Sequence, residues 1–274
     1  MVKEANMCID EILLLVRGIR KKKTSYYSNY YNQCNKLNNK FQVKYNKNAL
    51  AFIWNDLGID RVYFFASDIS ELAEILTKVD INSVIDFITK DKYALADCFT
   101  KAGFKSYLEF GRFFIKPGNE EAAKLRHSLE DDGDSRKIFN LPYGELAREE
   151  EAEEIDKHLR RVFDPYEAHF YSIDTLKENI RKGWVWVAKE NGKIIAGNCF
   201  EIQGKKVYGA YIWNDGDVEV LCSLNHKISQ YLASKDVSYY YCWMRLNNKR
   251  VIRYNMKYNG YVPDGLYDMI FVKK

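Results

Sequence analysis

The chain has 274 residues, of which 47% are hydrophobic and 15% aromatic, and this composition excludes a disordered polypeptide. Its length allows one large hydrophobic core or two of ordinary size. The formal net charge of +4 is too small to indicate a nucleic-acid partner by itself, although residues 1–45 carry nine Lys or Arg against three acids.

The spacing of the cysteines and histidines indicates the redox compartment and argues against a metal site. The six cysteines lie far apart without a CxxC pair, as in a protein with reduced thiols, and the four histidines show no metal-ligand spacing. The most apolar N-terminal stretch, residues 9–19, contains Asp10, Glu11 and Arg17, which argues against a membrane span. We therefore expect a cytoplasmic protein without a bound metal and without a membrane partner.

The first half of the chain alternates between helical and strand periodicity. Apolar residues at helical spacing predict a helix over residues 9–19, and Ser67 or Asp68 is a suitable N-cap for a later one. In chain order we expect a helix at 9–19, a Tyr-rich helix at 25–37, strands at 49–55 and 59–66, a helix after Asp68, a strand at 83–88, a helix at 91–102 and a strand at 107–115.

A charged stretch without periodicity follows Pro117-Gly118 and includes the acidic run at 130–134. About twenty residues without structure is long for a loop inside one compact domain. We therefore predict an N-terminal domain at 1–117, a linker at 118–136 and a C-terminal domain at 137–274.

The second half begins with helices and continues with hairpins. Asn191-Gly192 and Gln203-Gly204 are hairpin turns, and Gly183 suits the left-handed end of a helix. We expect a strand at 137–141, helices at 152–163 and from Ser172 to Gly183, strands at 184–189, 194–202 and 206–213, a loop at 214–225, a helix, a strand at 237–243, a helix ending before Gly260 and a strand at 267–272. This order predicts an α/β fold with a mixed sheet that contains a parallel pair near its end.

Two passages resemble the GNAT superfamily of N-acyltransferases. The segment GWVWVAKENGKIIAGNCFEI at 183–202 is similar to that family's second and third strands, and ALADCFTKAGFKSYLEFGRFFI at 94–115 is similar to its last helix, Gly-Phe step and closing strand. The resemblance implies two GNAT-like domains in tandem, with a degenerate N-terminal copy. It further implies transfer of an acyl group, acetyl from acetyl-CoA, to a primary amine of a small molecule, amino sugar or peptide.

The family's phosphate-binding signature, Gln/Arg-x-x-Gly-x-Gly/Ala, is absent. Residues 214–226 hold one Gly and three acids instead. Either backbone N–H groups at a helix start still hold the pyrophosphate, with Lys227 or Lys249 adding charge, or the acyl-CoA site has decayed. The residues that the resemblance assigns to the cofactor are Ile212, Trp213, Ser223, Leu224, Asn225, His226, Lys227, Asn248 and Lys249.

Acyl transfer to an amine needs a base for the ammonium and an acid for the leaving thiolate. The resemblance makes Tyr254 the candidate acid, although it lies six residues before Gly260 instead of the usual four. Glu201 and Glu219 are the candidate bases. The family's acceptor pocket corresponds here to Asp164, Glu167 and His169, and packing or a solvated surface is the alternative role for each of these residues.

Two other functions stay open at this point. Fem-like aminoacyl transferases also pair two GNAT-like domains, and residues 253–260 loosely resemble their C-terminal region, which would make tRNA a partner. A non-catalytic GNAT-fold binding protein is the third hypothesis, and a homodimer is compatible with all three. The acyl-CoA hypothesis requires that two neighbouring parallel strands of the C-terminal half diverge to form a slot beside a helix N-terminus.

Overall fold

The structure is a computed structural model that describes residues 1–21, 25–29, 41–115 and 141–274. Contacts divide the chain into two compact units: unit 1 comprises Met1–Phe110 with Leu266–Lys274, and unit 2 comprises Gly111–Gly265. The predicted C-terminal domain included the last strand in full, whereas the end of that strand belongs to unit 1. The predicted linker at 118–136 lies outside the described residues.

Unit 1 is a mixed sheet with helices on both faces. Its elements are β1 (Lys3–Met7), α1 (Ile9–Arg20), β2 (Tyr27–Ser28), β3 (Phe41–Tyr45), β4 (Ala49–Asp56), β5 (Ile59–Ala66), α2 (Ile69–Thr77), β6 (Ser83–Thr89), α3 (Ala96–Lys101) and the first part of β7 (Lys105–Ile115). The strand order is β1-β3-β4-β5-β6, and the chain's last strand lies beside β6. Only the β5–β6 pair is parallel among these neighbours.

Two apolar faces of this sheet explain its helices. Ile12, Val16 and Ile19 recur on one side of α1 and are buried against aromatic residues of β3, β4 and β5, including Phe52. The opposite face packs against α2 and α3, with Phe99 fully buried. Burial of each such large side chain contributes about 1.5–3 kcal/mol to folding.

The predicted Tyr-rich helix at 25–37 is wrong over its described part, because Tyr27 and Ser28 pair with β5 as a short strand. Residues 30–37 lie outside the described ranges. The predicted helix at 91–102 begins later than expected, at Ala96, since residues 91–95 form turns closed by the backbone bond from Ala94 N to Asp91 O. The remaining predicted elements of this half are present.

Unit 2 repeats the combination of a hairpin, a helix, a strand and a helix. Its elements are β8 (Glu145–Leu146), a 3-10 turn (Glu149–Glu151), α4 (Ala152–Val162), α5 (Ile173–Arg181), β9 (Val185–Glu190), β10 (Lys193–Gln203), β11 (Lys206–Asn214), α6 (Val218–Ala233), β12 (Tyr239–Arg245), α7 (Lys249–Tyr258) and the start of β13 (Val262–Lys273). The strand order is β12-β11-β10-β9-β8, and β11 and β12 are parallel.

Turn and capping residues set the ends of these helices and strands as expected. Asn191 and Gly192 both have positive φ, 50° and 77°, which a two-residue hairpin turn requires. Ser172 caps α5 by accepting a hydrogen bond from Thr175 N. The core on one face joins α4 and α5 to the sheet, and the core on the other face joins α6 to it.

The predicted loop at 214–225 is wrong in its extent, because α6 begins at Val218. Asp215 forms ion pairs with Arg161 and His158 of α4, and Asp217 is the N-cap residue of α6. Within the described ranges, no helix has the length and apolar character needed to cross a bilayer.

Candidate functional site

The parallel strands β11 and β12 pair over only part of their length. Their ladder runs from Lys206–Tyr239 to Gly209–Cys242 and stops there, although β11 continues to Asn214 and β12 to Arg245. Beyond Gly209 the two strands diverge. The result is a slot whose two edges carry backbone groups that are not paired with each other, open toward the carboxyl ends of both strands.

A β-bulge explains where the ladder stops. On the other side of β11 the pairing with β10 jumps from Phe200–Gly209 to Cys199–Tyr211, so Ala210 has no partner on β10. A bulge bends its strand and increases the local twist, which carries β11 away from β12. Gly209 also allows close approach, because a Cβ there would lie 2.3 Å from the hydroxyl of Tyr240 on β12.

The N-terminus of α6 follows β11 directly at this end of the slot. Asp217 is its N-cap but makes no side-chain hydrogen bond to the first turn. The Asn214 side chain orders the preceding turn by bonding Gly216 and Asp217 backbone groups, and Asp215 N donates to Ile195 O at 2.7 Å. Amide groups at an uncapped helix start are favourable partners for an anion.

The residues predicted to hold the pyrophosphate from 223 to 227 lie inside α6 instead of at its start. Their side chains serve the fold: the Ser223 hydroxyl donates to Leu141 O and Tyr143 O at 3.0 Å, and Lys227 Nζ donates to Pro142 O at 3.2 Å. Of the other three, Leu224 is core, Asn225 Oδ1 accepts from Asn198 at 3.1 Å, and His226 contacts Gln230 at 3.0 Å.

The other predicted cofactor residues divide between the slot and the core. Ile212 lies on the diverging part of β11 and is 38% exposed, whereas Trp213 is buried on the α4 side, stacked on His158. Asn248 caps α7 through Val251 N at 3.2 Å, and Lys249 is exposed on the first turn. Among these residues, Ile212, Asn248 and Lys249 are exposed and Trp213 is not.

Tyr254 lies on α7 with its hydroxyl 2.6 Å from Cys222 Sγ of α6. Burial raises the pKa of the Cys222 thiol; the Tyr254 hydroxyl opposes this and the Glu219 carboxylate adds to it. The thiol is therefore protonated near neutral pH and can share its proton with the tyrosine oxygen. Glu219 itself is exposed on the first turn of α6.

Glu201 is near the end of β10, two residues beyond Cys199, on the sheet face covered by α4 and α5. Its carboxylate accepts from the Tyr171 hydroxyl at 2.9 Å and from Gln203 Nε2 at 3.1 Å. Burial raises the pKa of Tyr171 well above its ordinary value, and the nearby Glu201 adds to this, so the tyrosine stays a neutral donor.

The predicted acceptor residues belong to the segment between α4 and α5 and fix its path. Glu167 is buried and forms an ion pair with Arg245 of β12 at 2.6 Å. The His169 carbonyl accepts from the Tyr211 hydroxyl at 2.6 Å, and Asp164 accepts from Tyr166 N at 2.8 Å. The first two bonds hold this segment against both diverging strands.

Unit 1 has a corresponding pair of parallel strands that also diverge. β5 and β6 pair only at Asp60–Ser83 and Arg61–Val84, although both strands continue for several residues. β5 follows a hairpin and precedes α2, as β11 follows a hairpin and precedes α6. The structural equivalent of the slot therefore exists in unit 1.

In unit 1 a side chain of the protein, that of Asn29, occupies the position between the diverging strands. The fully buried Asn29 side chain donates to Val62 O of β5 and Asp86 O of β6, both at 2.9 Å, and accepts from Phe64 N at 2.6 Å. The adjacent Ser28 hydroxyl donates to Phe64 O at 3.0 Å. One primary amide thus satisfies the backbone groups that the divergence leaves unpaired.

The helix start in unit 1 is also satisfied internally. The Asp68 carboxylate caps α2 by accepting from Ser70 N and Glu71 N at 3.0 and 3.1 Å. Asp217 of α6 makes no such bond. The two arrangements therefore differ. In unit 1 side chains bond the strand edges and the helix start, whereas in unit 2 the β11–β12 ladder ends at Gly209–Cys242 beside a helix start that the Asp217 side chain does not cap.

Sequence reasoning missed Asn29, Cys222 and Arg245 as parts of these arrangements. A lone Asn in a Tyr-rich segment has no motif, and the partners of Cys222 and Arg245 are far away in sequence. Within the part of the chain that the structure describes, no group of His, Cys, Asp or Glu is arranged to hold a metal ion.

Comparisons by sequence and by structure differ in outcome. No protein-family model and no curated protein matches the chain by sequence. The structure is similar to a tandem GNAT protein from the clavulanic acid biosynthesis pathway, solved without AcCoA, with a TM-score of 0.58 at 10% identity over 99% of this chain and 98% of that one. The chain has the tandem GNAT fold.

Two further solved structures of acetyltransferases are also similar to this chain. An acetyltransferase of the GNAT family from Colwellia psychrerythraea aligns with a TM-score of 0.51 at 10% identity, over 99% of this chain and 98% of that one. A GCN5-related N-acetyltransferase from Sphaerobacter thermophilus aligns with a TM-score of 0.55 at 8% identity, over 84% and 79%. At these identities the likeness concerns the fold.

Proposed function

We propose that the chain is an N-acyltransferase that uses acetyl-CoA and acts on a primary amine through unit 2. The observation that carries this proposal is the slot between β11 and β12, open beyond Gly209–Cys242 and adjoined by the uncapped start of α6. An extended ligand with amide groups can pair with strand edges that do not pair with each other, as a strand would. Its phosphates would then meet the amides of α6.

Apolar side chains at the slot suit the same ligand. Ile212 is 38% exposed on the diverging strand, Val218 is 52% exposed on the first turn of α6, and Val251 is 40% exposed on the first turn of α7. Ile212 lies near the carboxyl end of β11, and Val218 and Val251 lie on the helices that follow β11 and β12. They would contact the alkyl parts of the acetyl-CoA arm, and Lys249 would add a positive charge.

Acetyl-CoA would supply an acyl group activated as a thioester. The chain must then accept a proton from the substrate ammonium, so that the neutral amine can attack the thioester carbonyl, and return a proton to the departing sulfur. Glu201 is the proposed proton acceptor, because its carboxylate has neutral hydrogen-bond partners. Tyr254 is the proposed donor, and Cys222 holds its hydroxyl in position at 2.6 Å.

A thiol-release assay tests this function. The protein is incubated with acetyl-CoA and a panel of primary amines, and free CoA thiol is measured against an amine-free blank. We expect amine-dependent release, which Tyr254→Phe lowers by about 100-fold or more because general acid catalysis is lost. Tyr93→Phe is the control, since Tyr93 is 82% exposed in unit 1 and should leave the rate unchanged.

A purely structural role for Tyr254 would give a different pattern. The thiol-release rate of Tyr254→Phe would then stay close to that of the unmodified protein while the melting temperature falls. Absence of amine-dependent thiol release across all the amines, with folded protein and millimolar acetyl-CoA, would contradict the proposed activity.

A further inference from the structure

The hydroxyl of Tyr240 lies at the closed end of the slot. Tyr240 is on β12, two residues before Cys242, and Cys242 pairs with Gly209 where the ladder ends. A Cβ at Gly209 would lie 2.3 Å from the Tyr240 hydroxyl oxygen and 2.9 Å from the ring carbon that bears it. The hydroxyl therefore lies directly against the backbone of Gly209, and only a glycine leaves room for it there.

Tyr240 is on the sheet face that α6 and α7 cover. Its half-buried ring belongs to the apolar clusters that contain Leu224 of α6 and Ile252 of α7. The same two helices carry Cys222 and Tyr254, whereas Glu201 is on the face that α4 and α5 cover. The proposed acid and the proposed base thus lie on opposite faces of the sheet, and the slot connects these faces.

The hydroxyl proton of Tyr240 is directed by two neighbouring donors. The Tyr261 hydroxyl and the Asn198 amide both donate toward the Tyr240 oxygen. Burial raises the pKa of Tyr240, and the neighbouring Cys242 raises it further, so the hydroxyl stays protonated at neutral pH. An oxygen that accepts two hydrogen bonds directs its own proton away from both donors. That proton can therefore be donated to an acceptor atom of a bound ligand.

We infer that Tyr240 is a further catalytic residue, whose hydroxyl donates to the thioester carbonyl oxygen of the acyl donor and stabilises the oxyanion that forms there. The inference deepens the proposed function and rests on it. That function has a proton acceptor, Glu201, and a proton donor, Tyr254, but no group for the carbonyl oxygen. A neutral donor held in place by its partners suits a negative charge that develops only during the reaction.

The charge on the oxygen follows from the bonds that change. The neutral amine nitrogen attacks the carbonyl carbon, and the C=O π electron pair moves onto the oxygen that Tyr240 holds. When this pair returns, the C–S bond breaks and the thiolate takes the proton of Tyr254. The nitrogen loses one further proton, which restores Tyr254, while the proton on Glu201 passes to solvent. Tyr240 keeps its own proton throughout.

Isotope-edited infrared spectroscopy tests the contact without any acyl transfer. The full chain is mixed with acetyl-CoA labelled with carbon-13 at the thioester carbonyl, without an amine, and the C=O stretch of the bound ligand is measured. A hydrogen bond to the oxygen weakens the C=O bond. We therefore expect a lower wavenumber in the unmodified chain than in Tyr240→Phe. The same wavenumber in both proteins would overturn the inference.

Two further variants locate the effect. Gly209→Ala keeps Tyr240, but its methyl group would lie 2.3 Å from the hydroxyl oxygen and must displace it, so the stretch should rise as in Tyr240→Phe. This variant keeps the test valid if Tyr240→Phe does not fold. Tyr239→Phe is the matched control, because Tyr239 is in the first pair of the ladder and points to the opposite face. An equal rise in Tyr239→Phe would overturn the assignment to Tyr240.

Steady-state thiol release gives an independent measurement. We expect the kcat of Tyr240→Phe to fall about 100-fold or more, with unchanged acetyl-CoA affinity and both limbs of the pH profile retained. Parallel loss of kcat, acetyl-CoA affinity and melting temperature would show a packing role. Loss of the alkaline limb would make Tyr240 a proton donor to sulfur. Either result, or an unchanged kcat, would overturn the oxyanion role.

Isothermal titration with acetyl-CoA separates this inference from the proposed function. If the unmodified chain binds no acetyl-CoA, the proposed function fails and the role of Tyr240 fails with it. If the unmodified chain binds acetyl-CoA and transfers acetyl, and Tyr240→Phe does so at the same rate, the role of Tyr240 alone is wrong.

Discussion

Asp268, on the part of β13 that belongs to unit 1, has a buried carboxylate oxygen without a hydrogen-bond partner among the described residues. Burial raises its pKa well above the ordinary 3.8, and the neighbouring Asp86 raises it further, against a hydrogen bond from the Phe87 backbone. The folded protein therefore holds a proton that the unfolded chain has lost at the same pH. Stability falls as pH rises from about 3.8 to the folded-state pKa.

Asp268→Asn should therefore stabilise the protein at neutral pH, because Asn keeps an acceptor oxygen and cannot ionise. We expect a gain of about 1 kcal/mol or more, or roughly 2–4 °C in melting temperature. Thermal unfolding between pH 4 and 8 measures it, and the variant should lack part of the decline with pH. Asp236→Asn is the control, since its ion pair with Lys205 is exposed. A lower melting temperature for Asp268→Asn at neutral pH would contradict this reasoning.

Single residues were predictable from sequence where their chemistry is local. Asp68 and Ser172 cap helices through their own first turns, and Gly192 supplies the positive φ of a hairpin turn. Tyr254 could be named from sequence, but its contact with Cys222 could not, because 32 residues separate the two. The site roles of Tyr254 and Glu201 stay predictions until activity is measured.

At the scale of elements, α6 shows why sequence reasoning misplaced the helix start. The predicted loop at 214–225 includes Asp215, Gly216 and Asp217 and continues past the helix start at Val218. In the structure Asp215 is bound by α4 and Asp217 is the N-cap, so one group of acids serves two different purposes. Long-range partners of this kind leave no local pattern.

The divergence of two parallel strands was expected from the sequence, but the residue at which their pairing ends could not be predicted. The bulge that leaves Ala210 unpaired ends the ladder at Gly209, and no residue pattern marks a bulge at an alanine. In unit 1 the Asn29 side chain instead bonds the diverging strands, which lie more than thirty residues away in sequence. Both features depend on tertiary pairing.

Asn29→Ala tests the role of the segment that occupies the unit 1 slot. It would leave Phe64 N, Val62 O and Asp86 O without their partner, and unsatisfied buried groups cost about 1–3 kcal/mol each. We expect the free energy of unfolding to fall by about 3 kcal/mol in urea titration. Asn247→Ala, on an exposed turn of unit 2, is the control. A loss below about 0.5 kcal/mol would show that Asn29 is not structural.

For the whole molecule, the tandem GNAT fold combines one internally satisfied unit with one open unit. Asn29 and Asp68 meet the backbone groups of unit 1 that would otherwise face a ligand. In unit 2 the β11–β12 ladder ends at Gly209–Cys242, and Asp217 makes no side-chain hydrogen bond to the first turn of α6. We therefore expect one acetyl-CoA per chain.

A charge placed at the first turn of α6 distinguishes acetyl-CoA binding at unit 2 from binding at unit 1. Val218→Glu puts a carboxylate where the phosphates would bind, and a negative charge at a helix start favours folding, so the variant should fold. Ser70→Glu places the same charge on the first turn of α2 in unit 1 and serves as the matched control.

Isothermal titration of the full chain with acetyl-CoA tests the central claim, that the unit 2 slot binds the acyl donor. The expected result is a single site per chain, at least 10-fold weaker in Val218→Glu and unchanged in Ser70→Glu. No heat at millimolar acetyl-CoA, or equal affinity in Val218→Glu and the unmodified chain, would contradict it.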